Sequence, residues 1–360
     1  MSESSLADID LRSTLEMSGK TYLRARVPRG VNRGQPFTIA QPLAGRYEVR
    51  HFFASGGVGL LLEGQDLRTG ASVLIKSILR YDVVPYAEVA DRDGFANQLR
   101  VPRKTLETER RILVLLHNAG CTAIPHPNDF VFDNNPQLAG PYTTEEGKSW
   151  SFDDPETLAA EPYLIMEAVN GRSLDELLRT APFSEARCLR IMYQVAGVLR
   201  ALHQPRPMRP GMTWQLIYQD LKPANILLSV QDRVTVIDLG GCQLINLDKG
   251  YKLLPGACTA GYCPPECEQP YAILTPAADV YTVGSNLFHL LTGKSPLEFL
   301  GAGFPGNQPQ AVRLDTRLLE GRCGPATRKL VERCLAPDPA QRYPDAEALQ
   351  RALAEVIQTP

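Results

Sequence analysis

Asp220, Lys222 and Asn225 stand within six residues of one another in Tyr218-Gln219-Asp220-Leu221-Lys222-Pro223-Ala224-Asn225, and the apolar run Ile226-Leu227-Leu228 follows. One short loop can thus offer a carboxylate to a substrate hydroxyl, a cation to a phosphoryl group in transit and an amide oxygen to a metal ion. Thirteen residues past Asn225, Val236-Ile237-Asp238-Leu239-Gly240 sets an acid at the end of an apolar strand, just before a glycine. An Asp-x-Gly turn is common by itself. A short hairpin downstream of Asp220 and Asn225, it becomes a specific metal-binding turn.

Two further groups lie upstream. Ala54-Ser55-Gly56-Gly57-Val58-Gly59 joins two strand-like runs, and its glycines would let backbone N–H groups approach phosphate oxygens. Taken alone, it reads equally as a glycine-rich hairpin without a ligand. Lys76 closes the apolar run Val73-Leu74-Ile75, and Glu109 stands on the helical segment that follows. The two are either partners on an inner face or ordinary exposed charges.

The elements that must position these residues follow from the hydrophobic pattern. Residues 1–45 are polar and irregular, and are expected to be an extension, flexible or docked, with no fold of its own. Tyr47–Phe53, Gly59–Asp66, Ser72–Leu79, Phe130–Phe132 and Tyr163–Glu167 read as strands. The segment containing Glu109 reads as a helix with Leu106, Ile112, Leu113, Leu115 and Leu116 mostly on one face. Two irregular insertions, about 80–104 and 133–161, flank it. The second carries Glu145, Glu146, Asp153, Asp154 and Glu156, and is expected to be a solvated loop.

Beyond Val169 the pattern turns helical: Ser173–Arg179, Ser184–His203, Pro276–Leu291, Ala326–Cys334 and Asp345–Ile357. Strands first and helices afterwards predict an α+β chain with a small β-rich part, 46–168, and a larger mainly helical part, 169–360.

Composition narrows the function classes. A formal net charge of −2 gives no basic balance to suggest nucleic acid as a partner. No apolar run is long enough for a membrane span, and the first residues lack the basic start and apolar centre of a secretory signal, so the expected location is cytoplasmic. Eight cysteines then read as small hydrophobes in a reducing compartment. Cys258, Cys263 and Cys267 crowd together, but without a C-x-x-C pair or a nearby histidine, so packing is expected there rather than metal.

Taken in order, these residues resemble the protein-kinase signature set, from about Arg46 to Ile357. The resemblance implies a bilobal fold with the active site between the lobes, a small β-rich N-lobe with one main helix and a larger mainly helical C-lobe. It implies ATP and Mg²⁺ (or Mn²⁺) as cofactors and a protein serine or threonine as substrate.

Lys76 then matches the lysine on the α- and β-phosphates and Glu109 its helical partner. Asp220 matches the catalytic base, Lys222 the lysine near the γ-phosphate, and Asn225 and Asp238 the metal ligands. Ala54 to Gly59 match the phosphate loop. Leu61 and Leu227 would sandwich the adenine, with Met166 as gatekeeper and Glu167, Ala168 and Val169 as the linker. Thr259-Ala260-Gly261-Tyr262-Cys263-Pro264-Pro265-Glu266 resembles the end of an activation segment, and Arg342 sits where the family places the partner of Glu266. Asp-Leu-Lys-Pro resembles the serine/threonine version of the loop, and the texture Arg46-Tyr47-Glu48-Val49 is similar to bacterial members.

The departures matter as well. Ala54 replaces the first glycine of the loop, Leu239 the phenylalanine of D-F-G, and Pro264 the alanine of A-P-E. Tyr218-Gln219 replaces His-Arg. Neutral Gln219 offers no charged fork to a phosphorylated loop, and Gly241–Ala257 contains no serine or threonine. Activity independent of activation-loop phosphorylation is expected. Two rivals stand beside this reading: a pseudokinase scaffold binding nucleotide and a protein partner, and a small-molecule kinase. A separate regulatory protein is expected to carry the signal.

Overall fold

The computed structural model describes residues 14–17, 19–28, 33–34, 36–55, 59–78, 92–134, 142–143, 149–150, 161–254, 258–269, 272–300 and 312–358. The chain is mixed α+β and divides into two compact units. One comprises residues 1–114 and 125–169, the other 115–124 and 170–360.

The first unit opens with three strands, β1 (Thr14–Met17), β2 (Lys20–Arg26) and β3 (Pro36–Ala40), paired antiparallel in that order. β4 (Tyr47–Ser55), β5 (Gly59–Asp66) and β6 (Ser72–Ile78) come next. After α1 (Arg92–Asn118) come β7 (Pro127–Asp133), a two-stranded ribbon of β8 (Tyr142–Thr143) and β9 (Ser149–Trp150), and β10 (Glu161–Glu167). The main sheet runs β4-β5-β6-β10-β7. β10 is buried at every position except Glu167, as a strand paired on both edges and covered on its faces must be.

The N-terminal segment is docked, one of the two expected arrangements, but as a sheet that was not expected. Tyr22, Leu23, Val27, Phe37 and Ile39 share one core with Tyr47, Val49, Phe52, Leu62 and Ile75 of the main sheet. Lys20 and the Ala44 amide both bond the Asp133 carboxylate, at 2.6 Å each. The charged residues of β2 hid the strand, in which the adjacent Tyr22 and Leu23 are both buried. The first insertion also differs. α1 begins at Arg92 and carries Pro102 in its interior, where a sequence reading places a break.

The second unit holds β11 (Arg172–Ser173), α2 (Leu174–Leu178) and α3 (Glu185–His203). A four-stranded sheet follows, in the order β12 (Arg206–Arg209), β13 (Met212–Ile217), β16 (Gln243–Asn246), β17 (Tyr251–Leu254). Between its halves lies the hairpin of β14 (Ile226–Leu228) and β15 (Val234–Val236). The helices α4 (Ala277–Thr292), α5 (Pro325–Cys334) and α6 (Ala346–Gln358) complete it. Every residue of α4 is buried. Gly284 lets α5 approach, because a Cβ there would stand 2.7 Å from Cys334 Cβ. The four-stranded sheet was not legible in the sequence.

The cysteines need a correction. Cys258 and Cys263 are joined by a disulfide, so they do not act as two separate thiols. Of the remaining six, Cys188, Cys242, Cys267 and Cys334 are buried. Burial pushes the thiols of Cys188, Cys267 and Cys334 up to about 12, so they stay protonated and inert. Among the described residues no helix is long and apolar enough to cross a membrane.

Candidate active site

The second unit builds its site from the buried helix α4 outward. Asp279, fully buried in the first turn of α4, receives the backbone N–H groups of Tyr218 and Gln219 at 2.8 Å each and faces His203 Nε2 at 2.8 Å. Those two bonds hold an unusual backbone. Gln219 has φ +67°, and the Asp220 N–H closes back onto the Tyr218 carbonyl at 2.8 Å, a γ-turn. A non-glycine residue held this way costs on the order of 1–3 kcal/mol. Two charge-assisted bonds from a buried carboxylate offset that cost. Asn286, one α4 face further along, donates to the Leu221 carbonyl at 3.0 Å. The loop is therefore fixed by main-chain contacts, leaving its side chains to act.

Those side chains converge. Lys222 Nζ donates to Asp220 Oδ2 and to Thr259 Oγ1, both at 2.8 Å, and Thr259 Oγ1 donates to Asp220 Oδ1 at 2.5 Å. The three form a closed triangle. Asn225 Nδ2 donates to the Asp220 carbonyl at 3.0 Å, which leaves its Oδ1 as the acceptor of that amide. The β14–β15 hairpin brings in the second acid. Ile226 pairs with Val236, and the Ile237 N–H bonds the Asn225 carbonyl at 2.9 Å, so Asn225 and Asp238 flank the same end of the ladder.

Asp238 takes a left-handed backbone, φ 62° and ψ 73°, and accepts the Gly240 N–H at 3.3 Å. Tyr218 reaches beneath it, donating to the Ile237 carbonyl at 2.7 Å.

One carboxylate and one amide oxygen make a hard-oxygen donor set. Among the described residues no cluster of three or more His, Cys, Asp or Glu is placed to hold an ion alone. A set this small fits Mg²⁺, which keeps several waters and takes its remaining ligands from phosphate oxygens.

Next to the triangle lies a cavity of about 350 Å³, lined in part by Asp175, Lys222, Thr259, Tyr262, His289 and Ser295. Burial holds the Tyr262 hydroxyl above its ordinary range and the His289 imidazole below its own. The Tyr262 hydroxyl and His289 Nδ1 share a hydrogen bond of 2.7 Å.

In the first unit, β6 sits between β5 and β10, with Lys76 opposite Leu61 on one side and Leu164 on the other. Lys76 Nζ bonds both Glu109 oxygens, at 2.8 and 2.7 Å, and Glu109 is 2% exposed. Of the two sequence readings, the inner-face pair holds.

Met166 and Leu61 are buried, and Leu227 is buried in β14 of the other unit. Glu167 is exposed, with its N–H on the His126 carbonyl, and Ala168 and Val169 follow half-buried. Ala54 and Ser55 end β4, paired with Leu61 and Leu60. Gly56, Gly57 and Val58 lie outside the described residues. Gly59 has a structural reason of its own, since a Cβ there would stand 2.9 Å from the Ser77 carbonyl.

Sequence reasoning missed Asp279 and Thr259 as parts of the site. The signal for Asp279 was an acid at the start of an otherwise apolar helix. Thr259 was read only as the start of the activation-segment motif, because its contact with the loop depends on a fold-back across 37 residues to Lys222.

A family model described as "Protein kinase domain" matches residues 152–353, more than half of the chain. The serine/threonine-protein kinase PknA of Mycobacterium tuberculosis is 26% identical over 319 residues, covering 88% of this chain and 63% of the relative. The serine/threonine-protein kinase PknB of Mycolicibacterium smegmatis is 27% identical over 326 residues, covering 89% and 44%. The chain thus spans less than two thirds of the length of either relative.

Proposed function

The chain belongs to the protein kinase family, and from that premise we propose that it is an active serine/threonine kinase, transferring the γ-phosphoryl group of ATP to a protein hydroxyl. What supports this most is the closed arrangement of Asp220, Lys222 and Thr259 beside Asn225 and Asp238. The incoming hydroxyl oxygen bonds the γ-phosphorus as the bond to the β–γ bridging oxygen breaks. Asp220 orients that hydroxyl and takes its proton, and Lys222 offsets charge on the transferred group. Asn225 and Asp238 would hold Mg²⁺, which neutralises charge on the phosphates. Lys76, held by Glu109, is assigned to the α- and β-phosphates. Asp-Leu-Lys-Pro around Lys222 and the serine/threonine kinases among its relatives support the hydroxyl class.

The test is transfer from γ-labelled ATP with Mg²⁺, to the protein itself and to a generic basic protein, followed by phosphoamino-acid analysis. Label on serine or threonine supports the reading. Label on tyrosine alone, or on a small metabolite alone, overturns it. ATP binding without any transfer would favour the scaffold reading.

Activity should not require activation-segment phosphorylation. Gln219 is buried and neutral, with Nε2 3.6 Å from Cys267 Sγ, so it cannot clamp a phosphate. Order comes from the backbone instead, because Gln243–Asn246 pairs residue by residue with β13. Phosphatase-treated protein should transfer at the rate of untreated protein within about twofold, since no phosphate-dependent charge pair is lost. A drop of tenfold or more on dephosphorylation would sink this expectation. Phosphate on Thr259 itself should inactivate, because it would set a dianion against Asp220.

A further inference from the structure

Cys258 and Cys263 close a six-residue ring around Thr259, the residue that completes the triangle with Asp220 and Lys222. Their Cα atoms are 5.8 Å apart, within the range a disulfide spans. Both sulfurs face the Thr259 carbonyl, Cys263 Sγ at 3.1 Å and Cys258 Sγ at 3.9 Å. The Tyr262 N–H reaches the same carbonyl at 3.1 Å. The ring packs on Ile217 and Ile245 of the four-stranded sheet and on Ala278 of α4. It is thus anchored to the two elements that carry the catalytic loop.

We propose that Cys258 and Cys263 form a thiol–disulfide switch that sets the position of Thr259 and so the rate of phosphoryl transfer, with the disulfide as the faster state. This rests on the kinase reading above. The link closes a functional segment and not a scaffold, since Thr259 within it touches Asp220 and Lys222.

The two partners differ in access. Cys263 is fully buried and Cys258 half-buried, so exchange begins at Cys258. In oxidation, the Cys258 thiolate attacks a small disulfide, forming a mixed disulfide and releasing one thiolate. The Cys263 thiolate then attacks the Cys258 sulfur and releases the second. Two electrons and two protons pass to the small disulfide, which leaves as two thiols. A dithiol reverses both steps and is itself oxidised to a disulfide. Cys267, four residues on, is buried as an inert thiol and does not compete.

In the disulfide state the ring keeps Thr259 Oγ1 on Asp220 and Lys222. Reduction frees the segment to populate conformations in which that contact is lost. Closing a ring this small restricts the open segment by no more than about 40-fold, so a rate ratio of roughly three to ten between the two states is expected.

The experiment compares the full chain after treatment with a small disulfide and after treatment with a dithiol. Alkylation and peptide mass report the 258–263 link, and transfer from labelled ATP to a basic protein reports the rate. The expected result is a link in the oxidised protein, a slower rate after reduction carried mainly by KM for the protein substrate, and a Cys258→Ser variant that is slow in both conditions.

Variants Cys121→Ser and Cys323→Ser, which remove the two half-buried thiols elsewhere, should keep the response. If Cys258→Ser fails to fold, the wild-type rate followed across a series of dithiol-to-disulfide ratios decides instead. A rate that tracks the fraction linked supports the switch. A link that forms without changing the rate, or no link under oxidant, overturns it while leaving the kinase reading intact. No transfer in either state overturns both.

Discussion

Asp220→Asn should lower phosphoryl transfer to protein by about two to four orders of magnitude, the range of a positioned general base. The substitution keeps the size of the side chain and leaves the loop in place, since the loop is held through backbone amides on Asp279 rather than through Asp220. It removes the proton acceptor and half of the Lys222 contact. The loss should therefore fall on kcat, with KM for ATP little changed.

Asp238→Asn should cost at least as much but by another route. Asn accepts the left-handed backbone that Asp238 adopts at φ 62°, so the change tests the charge and not the fold. Without the carboxylate the donor set keeps only neutral oxygens, and the apparent affinity for Mg²⁺ and nucleotide together should fall alongside kcat. Steady-state kinetics at varied ATP and Mg²⁺ separate the two patterns. Either variant retaining more than about a tenth of the wild-type rate would be incompatible with the roles assigned, given the size of these effects.

Local spacing carried most of the site. Asp220, Lys222, Asn225 and Asp238 are readable because a loop and a short hairpin are contiguous in sequence, so the spacing is already the geometry. Lys76 and Glu109 were readable as a pair only in outline. Their meeting depends on β6 being the inner strand between β5 and β10, which periodicity suggests but does not fix. Three features escaped.

The N-terminal sheet was masked by the arginines Arg24 and Arg26, which alternate with Ala25 at the end of a strand whose Tyr22 and Leu23 are both buried. The β13–β16 pairing was masked because its strands are separated by the catalytic loop and the β14–β15 hairpin, and no local signal spans that distance. The Cys258–Cys263 link went unforeseen because the cysteines were read as small hydrophobes and their cluster was weighed only as packing against metal, which does not say whether two thiols are within reach. Contacts made far along the chain are set by tertiary packing, and the sequence shows them only after the fold is known.

Arg342→Met should weaken the second unit more than any surface change, because Arg342 is a hub rather than one half of a pair. Its guanidinium meets both oxygens of Glu266, at 2.7 and 2.9 Å. It also donates to the carbonyls of Ala336, Ala277 and Pro337, at 2.7, 3.0 and 3.1 Å, and stacks on the Tyr281 ring. These contacts join the end of the Thr259–Glu266 segment to the start of α4 and to the turn after α5.

Methionine fills the volume but leaves Glu266 without its counter-charge and takes a side-chain donor away from three carbonyls. Breaking a buried pair from one side costs about 3–5 kcal/mol. Hydrogen-exchange protection of the α4 amides, which reports opening of this unit alone, should fall by about two to three and a half orders of magnitude at roughly 1.4 kcal/mol per decade. Glu266→Gln should cost less, since an amide still accepts one of the two bonds and the buried arginine keeps its three carbonyls. The double variant should lose clearly less than the sum of the two single losses, because the stranded carboxylate is then gone. Protection in Arg342→Met within tenfold of wild type would show that the segment is held by its apolar contacts, with Arg342 only lining them.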